Sequence, residues 1–147
     1  MIQFDINAAK NQLEQKGIRP SFQRLKILEF LYQHPDSHPT AEMIYENLCQ
    51  EIPTLSRATV YNTLHSFSHN GLVNSLSIDG IETHYDVMLE AHGHFKCSQC
   101  GRLFNFPVAF NNLHEKGLEN YQINHKDVIF TGICPDCIET NQSKKGE

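Results

Sequence analysis

Apolar residues recur every three or four positions through the first half of the chain, then switch to alternation in the second. Residues 4–17 (FDINAAKNQLEQKG) predict a helix, with Asp5 or Asn7 as its cap and Gly17 as its stop. SFQRLKILEFLYQH predicts a second from Ser21, with Phe22, Leu25, Leu28 and Leu31 at helical spacing and Pro35 beyond its end. TAEMIYENLCQE predicts a third from Thr40, with Ala41, Ile44 and Leu48 on one face. SRATVYNTLHSFSHNG predicts a fourth from Ser56 to Gly71, with Val60, Leu64 and Phe67 inward and Arg57, Tyr61, Asn62, His65 and His69 outward.

The period then becomes two. LVNSLSI and IETHYDV flank Asp79-Gly80, a two-residue hairpin signal. Ile81, Thr83, Tyr85 and Val87 share one face of the second strand; Glu82, His84 and Asp86 share the other. After the link MLEA, HGHFKC and RLFNF read as strands around a CSQC knuckle. PVAFNNLHEKGL reads as a short helix with Pro107 in its first turn, and QINHKDVIFTGIC as a strand running into CPDC. The tail NQSKKGE reads as frayed. The expected class is therefore α+β. An N-terminal winged helix-turn-helix domain spans 1–87, a hinge 88–91, and a smaller α/β domain 92–147.

Helices followed by a hairpin place the last helix in the major groove of DNA. On its polar face Arg57 suits phosphate or guanine, Tyr61 a thymine methyl and Asn62 a base edge. Arg19 and Arg24, near helix starts, suit phosphate anchoring. A solvated amphipathic helix is the alternative. The 147 residues carry a net charge of −5, which argues against a protein that coats nucleic acid indiscriminately but does not exclude a local reader. Residues 1–72 hold 6 Lys/Arg against 7 Asp/Glu, so the acid excess lies in the second half. No apolar window spans a membrane and the start lacks a signal-peptide pattern, so the expected location is cytoplasmic, with no membrane partner.

Cys97-x-x-Cys100 and Cys134-x-x-Cys137 supply four thiolates, the donor set of a closed structural zinc site. The rival is a redox dithiol, which opens a helix within a βαβ unit, a setting expected at neither knuckle. A deaminase would need an upstream H-x-E, which is absent. Cys49 reads as a packing residue. His92 and His94, two apart on a strand, point to one side. With Asp86, His84 and His38 in reach, they form a mixed imidazole–carboxylate set suited to iron(II), manganese(II) or zinc. Exposed strand histidines are the alternative, and His34, His65, His69 and His114 are read as ordinary histidines outside any metal site.

Together HPTAEMIYENL, SRATVYNTLHSFSHNGLV, HYDV, HGHFKCSQCG and GICPDC resemble, in order and over about residues 10–138, the ferric uptake regulator family of metal-dependent bacterial repressors. The resemblance implies a homodimer held by the C-terminal dimerisation domain, Zn2+ on the four cysteines, and a regulatory metal that fits the dimer to double-stranded DNA at an AT-rich palindromic operator. It puts Tyr61 and Asn62 at base-contacting positions and Arg19 at a minor-groove position. In the peroxide-sensing branch the regulatory ligands correspond to His38, Asp86, His92 and His94. A fifth falls on Asn105, where peroxide sensors carry Asp and iron sensors Glu. That branch implies a repressor sensing peroxide through Fe2+ or Mn2+, oxidised at His38 or His92. The alternatives are an iron-availability sensor of the same family and, lacking a cysteine shortly before His92, a zinc-uptake regulator. From a different class come a zinc hydrolase, whose base candidates Glu82 and Glu90 no motif places, and a thiol oxidoreductase. The expectation is a regulator, not an enzyme.

Overall fold

Each helix begins where a short polar side chain caps it. In the computed structural model, which describes residues 3–78, 80–87, 92–109, 116–123 and 126–146, α1 spans Ile6–Gln15, α2 Phe22–Gln33, α3 Ala41–Leu48 and α4 Arg57–His69. Asp5 accepts the backbone N–H of Asn7 at 2.9 Å, Ser21 that of Arg24 at 3.2 Å, Thr40 that of Met43 at 3.2 Å and Ser56 that of Thr59 at 3.1 Å. Each cap satisfies a donor that the first helical turn leaves unpaired. Gly17 and Gly71, with φ of 73° and 72°, terminate α1 and α4 in the left-handed conformation.

The chain divides into two units, residues 1–88 and 89–147. The core of the first is Leu13, Ile27, Leu28, Leu31, Ile44, Val60, Leu64, Phe67 and Leu72, all buried. Truncating Phe67 to alanine there would cost about 3–5 kcal/mol. Phe22 departs from expectation, being 63% exposed. Three successive i+3 steps each drift by about 60° on a helix of 3.6 residues per turn, so Phe22 ends up opposite Leu31.

The wing comprises β1 (Asn74–Leu76) and β2 (His84–Asp86), antiparallel with Ser75 opposite Tyr85. The pairing stops at Leu76 and His84, so the connection is longer than the expected two-residue turn. Gly80 keeps a φ of 72°, and Asp79 lies outside the described residues. Register is set instead by burial of Leu76 and Tyr85, and by the segment before α3. The Tyr85 N–H donates to the Pro39 carbonyl at 2.9 Å, and Thr40 bridges His84. Asp86 is buried and His84 half-buried, while Glu82, on the same expected face, stays exposed.

In the second unit β3 (His92–Cys97) is central, antiparallel to β4 (Leu103–Pro107) and parallel to β5 (Ile129–Gly132). Pro107 ends β4, which among the described residues is an edge strand, and lies opposite His92 without opening a helix. An edge strand tolerates proline because one row of its N–H groups has no ladder partner. The rest of the expected helix falls largely on 110–115, outside the described residues. The C-terminal segment is α5 (Pro135–Lys145), not a frayed tail. Pro135 and Asp136 favour its start and Lys144 and Lys145 its end. Reciprocal amide hydrogen bonds between Gln99 and Asn141, at 2.9 and 3.2 Å, tie it to the first knuckle.

Candidate metal centres and nucleic-acid interface

The two knuckles meet within the second unit. All four sulfurs of Cys97, Cys100, Cys134 and Cys137 lie within 4.8 Å of one another, and the Cys97–Cys137 and Cys100–Cys134 separations are both 3.9 Å. Four thiolates about 2.3 Å from one zinc would stand about 3.8 Å apart along each edge of the tetrahedron. A disulfide would need about 2.05 Å. Donor chemistry and spacing therefore fit a closed zinc site.

The surroundings favour thiolate. Cys97 accepts the N–H groups of Cys100 at 3.5 Å and Cys134 at 3.4 Å, and these donors pull its thiol down to about 6. The Arg102 guanidinium donates to Cys100 at 3.4 Å and lowers that thiol too. Arg102 also reaches the Asp136 carboxylate at 2.8 Å and lies over the Phe104 ring. Burial pushes the Cys137 thiol up to about 12, so an ion is needed to hold it as thiolate. Cys134 is the N-cap of α5, so one knuckle does open a helix, contrary to expectation. Its sulfur nevertheless faces the other knuckle, and Arg102, which the sequence reading missed, supplies positive charge to the cluster.

Two half-sites hold the predicted histidines. In the first unit, ligand atoms of His38 and Asp86 lie within 4.8 Å of each other, and both residues are buried. β2 brings them together. The His84 ring contacts the His38 carbonyl at 2.7 Å while Tyr85 holds Pro39. His38 sits at φ 46°, an uncommon left-handed conformation for a residue with a Cβ. His84 thus positions the loop.

In the second unit the Nε2 atoms of His92 and His94 are 3.2 Å apart, with the rings edge to face. Two imidazoles about 2.0–2.1 Å from one ion at tetrahedral to right angles would place their nitrogens about 2.9–3.4 Å apart. Strand register puts Asn105 of β4 directly opposite His94, so the two side chains share a face of the sheet. Gly93, between the histidines, faces Phe106, whose ring lies over it.

The expected DNA-reading residues gather on the first unit. Tyr61, 51% exposed, and Asn62 project from α4. Arg24 lines a groove with Ser21, Gln23, Thr59, Asn62 and Thr63, and its guanidinium donates to the Arg19 carbonyl. Arg19 is exposed in the loop before α2. Arg57 is engaged elsewhere. Its Nε reaches both Glu42 carboxylate oxygens at 3.0 and 3.1 Å, its second nitrogen reaches Glu42 at 2.9 Å, and it lies over the Tyr45 ring. Glu42 was missed because nothing in the sequence pairs residues fifteen apart on different helices.

The ferric uptake regulator family model matches residues 15–132. The chain belongs to that family. It is similar to the peroxide-responsive repressor PerR of Staphylococcus aureus (strain Mu50 / ATCC 700699), at 31% identity over 92% of this chain and 93% of that protein. Among solved structures, the Vibrio cholerae ferric uptake regulator shares 27% identity with a TM-score of 0.71, over 86% of this chain and 99% of the other. PerR from Streptococcus pyogenes shares 33% with a TM-score of 0.51, over 88% and 90%. The chain is thus a metal-dependent transcriptional repressor of the ferric uptake regulator family, built as a winged helix-turn-helix followed by an α+β dimerisation fold. No described helix is long and apolar enough to cross a membrane.

Proposed function

We propose that this chain is a homodimeric repressor that senses peroxide through a regulatory Fe2+ or Mn2+, with Zn2+ held structurally by Cys97, Cys100, Cys134 and Cys137. The observation that carries the reading is the pair of half-sites, His38 with Asp86 and His92 with His94, in a chain 31% identical to a peroxide-responsive repressor. Their nitrogen and oxygen donors suit iron(II) and manganese(II). Asn105, opposite His94, offers a neutral carbonyl oxygen as a fifth donor.

In this reading, residues 1–87 bind DNA, 88–91 form a hinge and 92–147 dimerise. Only the five residues 87–91 separate Asp86 from His92, so covalent reach favours one ion taking both half-sites. Ligands drawn from both units make the metal-bound form the DNA-binding form, and metal shifts the population toward it. Iron held there would supply peroxide reactivity; the net change proposed at His38 or His92 is that a ring C–H takes up one oxygen atom from hydrogen peroxide, whose O–O bond breaks and whose other oxygen leaves as water. His38 enters the set from a strained backbone and would be lost from it readily. Arg19, Arg24, Tyr61 and Asn62 contact an AT-rich palindrome. β5, paired on one side only among the described residues and carrying Phe130 at 57% exposure, offers an edge for a second copy. A repressor acts where its operator lies, so the location proposed for this chain is the cytoplasm.

The test is operator binding by gel shift with metal-free protein and with Fe2+ or Mn2+, before and after peroxide. Equal affinity with and without metal would sink the metal switch. Loss of binding by the iron form after peroxide, with one oxygen gained on a His38 or His92 peptide, supports the sensor. The second reading is an iron-availability sensor, favoured by the V. cholerae fold at TM-score 0.71. Its signature is an iron form that keeps its operator after peroxide.

A further inference from the structure

Arg57 opens α4, the helix that the proposed function lays against DNA. A cation there is poorly placed on its own, because the positive end of the helix dipole repels it. Glu42, in the first turn of α3, compensates. Its two oxygens grip the guanidinium at 2.9 to 3.1 Å, and Tyr45 covers the guanidinium carbon at 4.4 Å from the ring centre. Both charged side chains remain partly in solvent, at 60% and 41% exposure, so the pair meets DNA as a neutral unit. A phosphate approaching Arg57 also approaches the Glu42 carboxylate.

We propose that Glu42 is an electrostatic latch that sets the sequence-independent DNA affinity of this repressor: it withholds the Arg57 charge from the phosphate backbone, so α4 meets DNA mainly through the uncharged Tyr61 and Asn62. Residues 1–72 carry 6 cations against 7 anions, so one masked cation is a large share of the attraction to non-operator DNA. Masking lowers binding at every sequence by a similar factor and leaves base-edge recognition intact, so it sets how firmly the protein holds DNA of any sequence. The inference rests on the DNA-binding role proposed above.

The test uses full-length protein loaded with zinc and Mn2+ and a fluorescent 30-base-pair (~100 Å) duplex of mixed sequence. Affinity is followed across salt, and the slope of log K against log salt counts phosphates neutralised. E42Q should steepen that slope by about 0.9 per DNA-bound chain and bind several-fold more tightly at low salt. E42Q/R57Q should return to the wild-type slope. E46Q removes the same charge one turn along α3, where no hydrogen bond to Arg57 is made, and should steepen it far less than E42Q. Circular dichroism checks folding first, and Glu42→Ala replaces E42Q if that variant melts below the assay temperature. An E42Q slope equal to wild type, or an equally steep E42Q/R57Q, overturns the latch while leaving DNA binding in place. Wild-type protein that binds no duplex at any salt overturns the DNA-binding reading and the latch with it.

Discussion

Gly93 stands between the two β3 histidines, and the structure leaves no room there for even a methyl group. An ideal Cβ at this position would lie 2.3, 2.6 and 2.9 Å from three atoms of the Phe106 ring. Carbon atoms in ordinary contact sit about 3.5–4.0 Å apart, so the ring must withdraw by roughly an ångström or more. Phe106 is also stacked on Phe130, at 5.0 Å between centroids and 20° between planes. Disturbing such a pair costs about 0.5–1.5 kcal/mol, and overpacking about 1–3 kcal/mol. Against this, replacing a strand glycine by alanine recovers about 0.5–1 kcal/mol of backbone entropy. G93A should therefore destabilise the second unit by about 1–2 kcal/mol. In an F106A background the clash is gone, and the same substitution should stabilise by about 0.5–1 kcal/mol. Urea unfolding of the four zinc-loaded proteins at one concentration, followed by circular dichroism and thiol exposure, measures the cycle. Mn2+ titration should show G93A weakening the site through His92 and His94. Additivity within about 0.5 kcal/mol, or the same sign in both backgrounds, would refute the steric argument.

Removing zinc should unfold the second unit, since its described buried apolar cluster is Cys97, Cys134 and Cys137 with Phe95 and Phe104 against it. Structural zinc supplies about 10–16 kcal/mol in small domains, so C97S should lose the metal and the hydrogen-exchange protection of β3; a protected, zinc-free C97S would contradict this. Burial raises the Tyr85 phenol, so its contribution is intact below the unfolded value of about 10 and fades as pH climbs through the folded one. Y85F should lose less stability than wild type as pH rises above about 10 in thermal melts, and parallel losses would refute this.

The caps, the inward stripe of α4 and the two knuckles were legible because each is local. Ser21, Thr40 and Ser56 announce helix starts through hydrogen bonds spanning three residues, and C-x-x-C holds two donors on one turn. The Phe22 error came from extending a local i+3 rule until its angular drift reached half a turn. The tail was misread because α5 depends on what it touches: Cys137 in the sulfur cluster and Asn141 on Gln99. Side chains fifteen to forty-six positions apart met in ways no periodicity encodes: Arg57 with Glu42, Arg102 with Cys134 and Asp136, and His84 with the His38 carbonyl.

The sequence by itself determined the donor types, the starts of α2, α3 and α4 and the family, because composition and short-range spacing carry them. Tertiary structure alone decided which charges stay available. Charge in water is masked by any partner within a few ångströms, and chain folding, not chain order, brings that partner in. Arg57 reads as a free DNA-facing cation in one dimension and becomes half of a neutral pair once α3 lies beside α4.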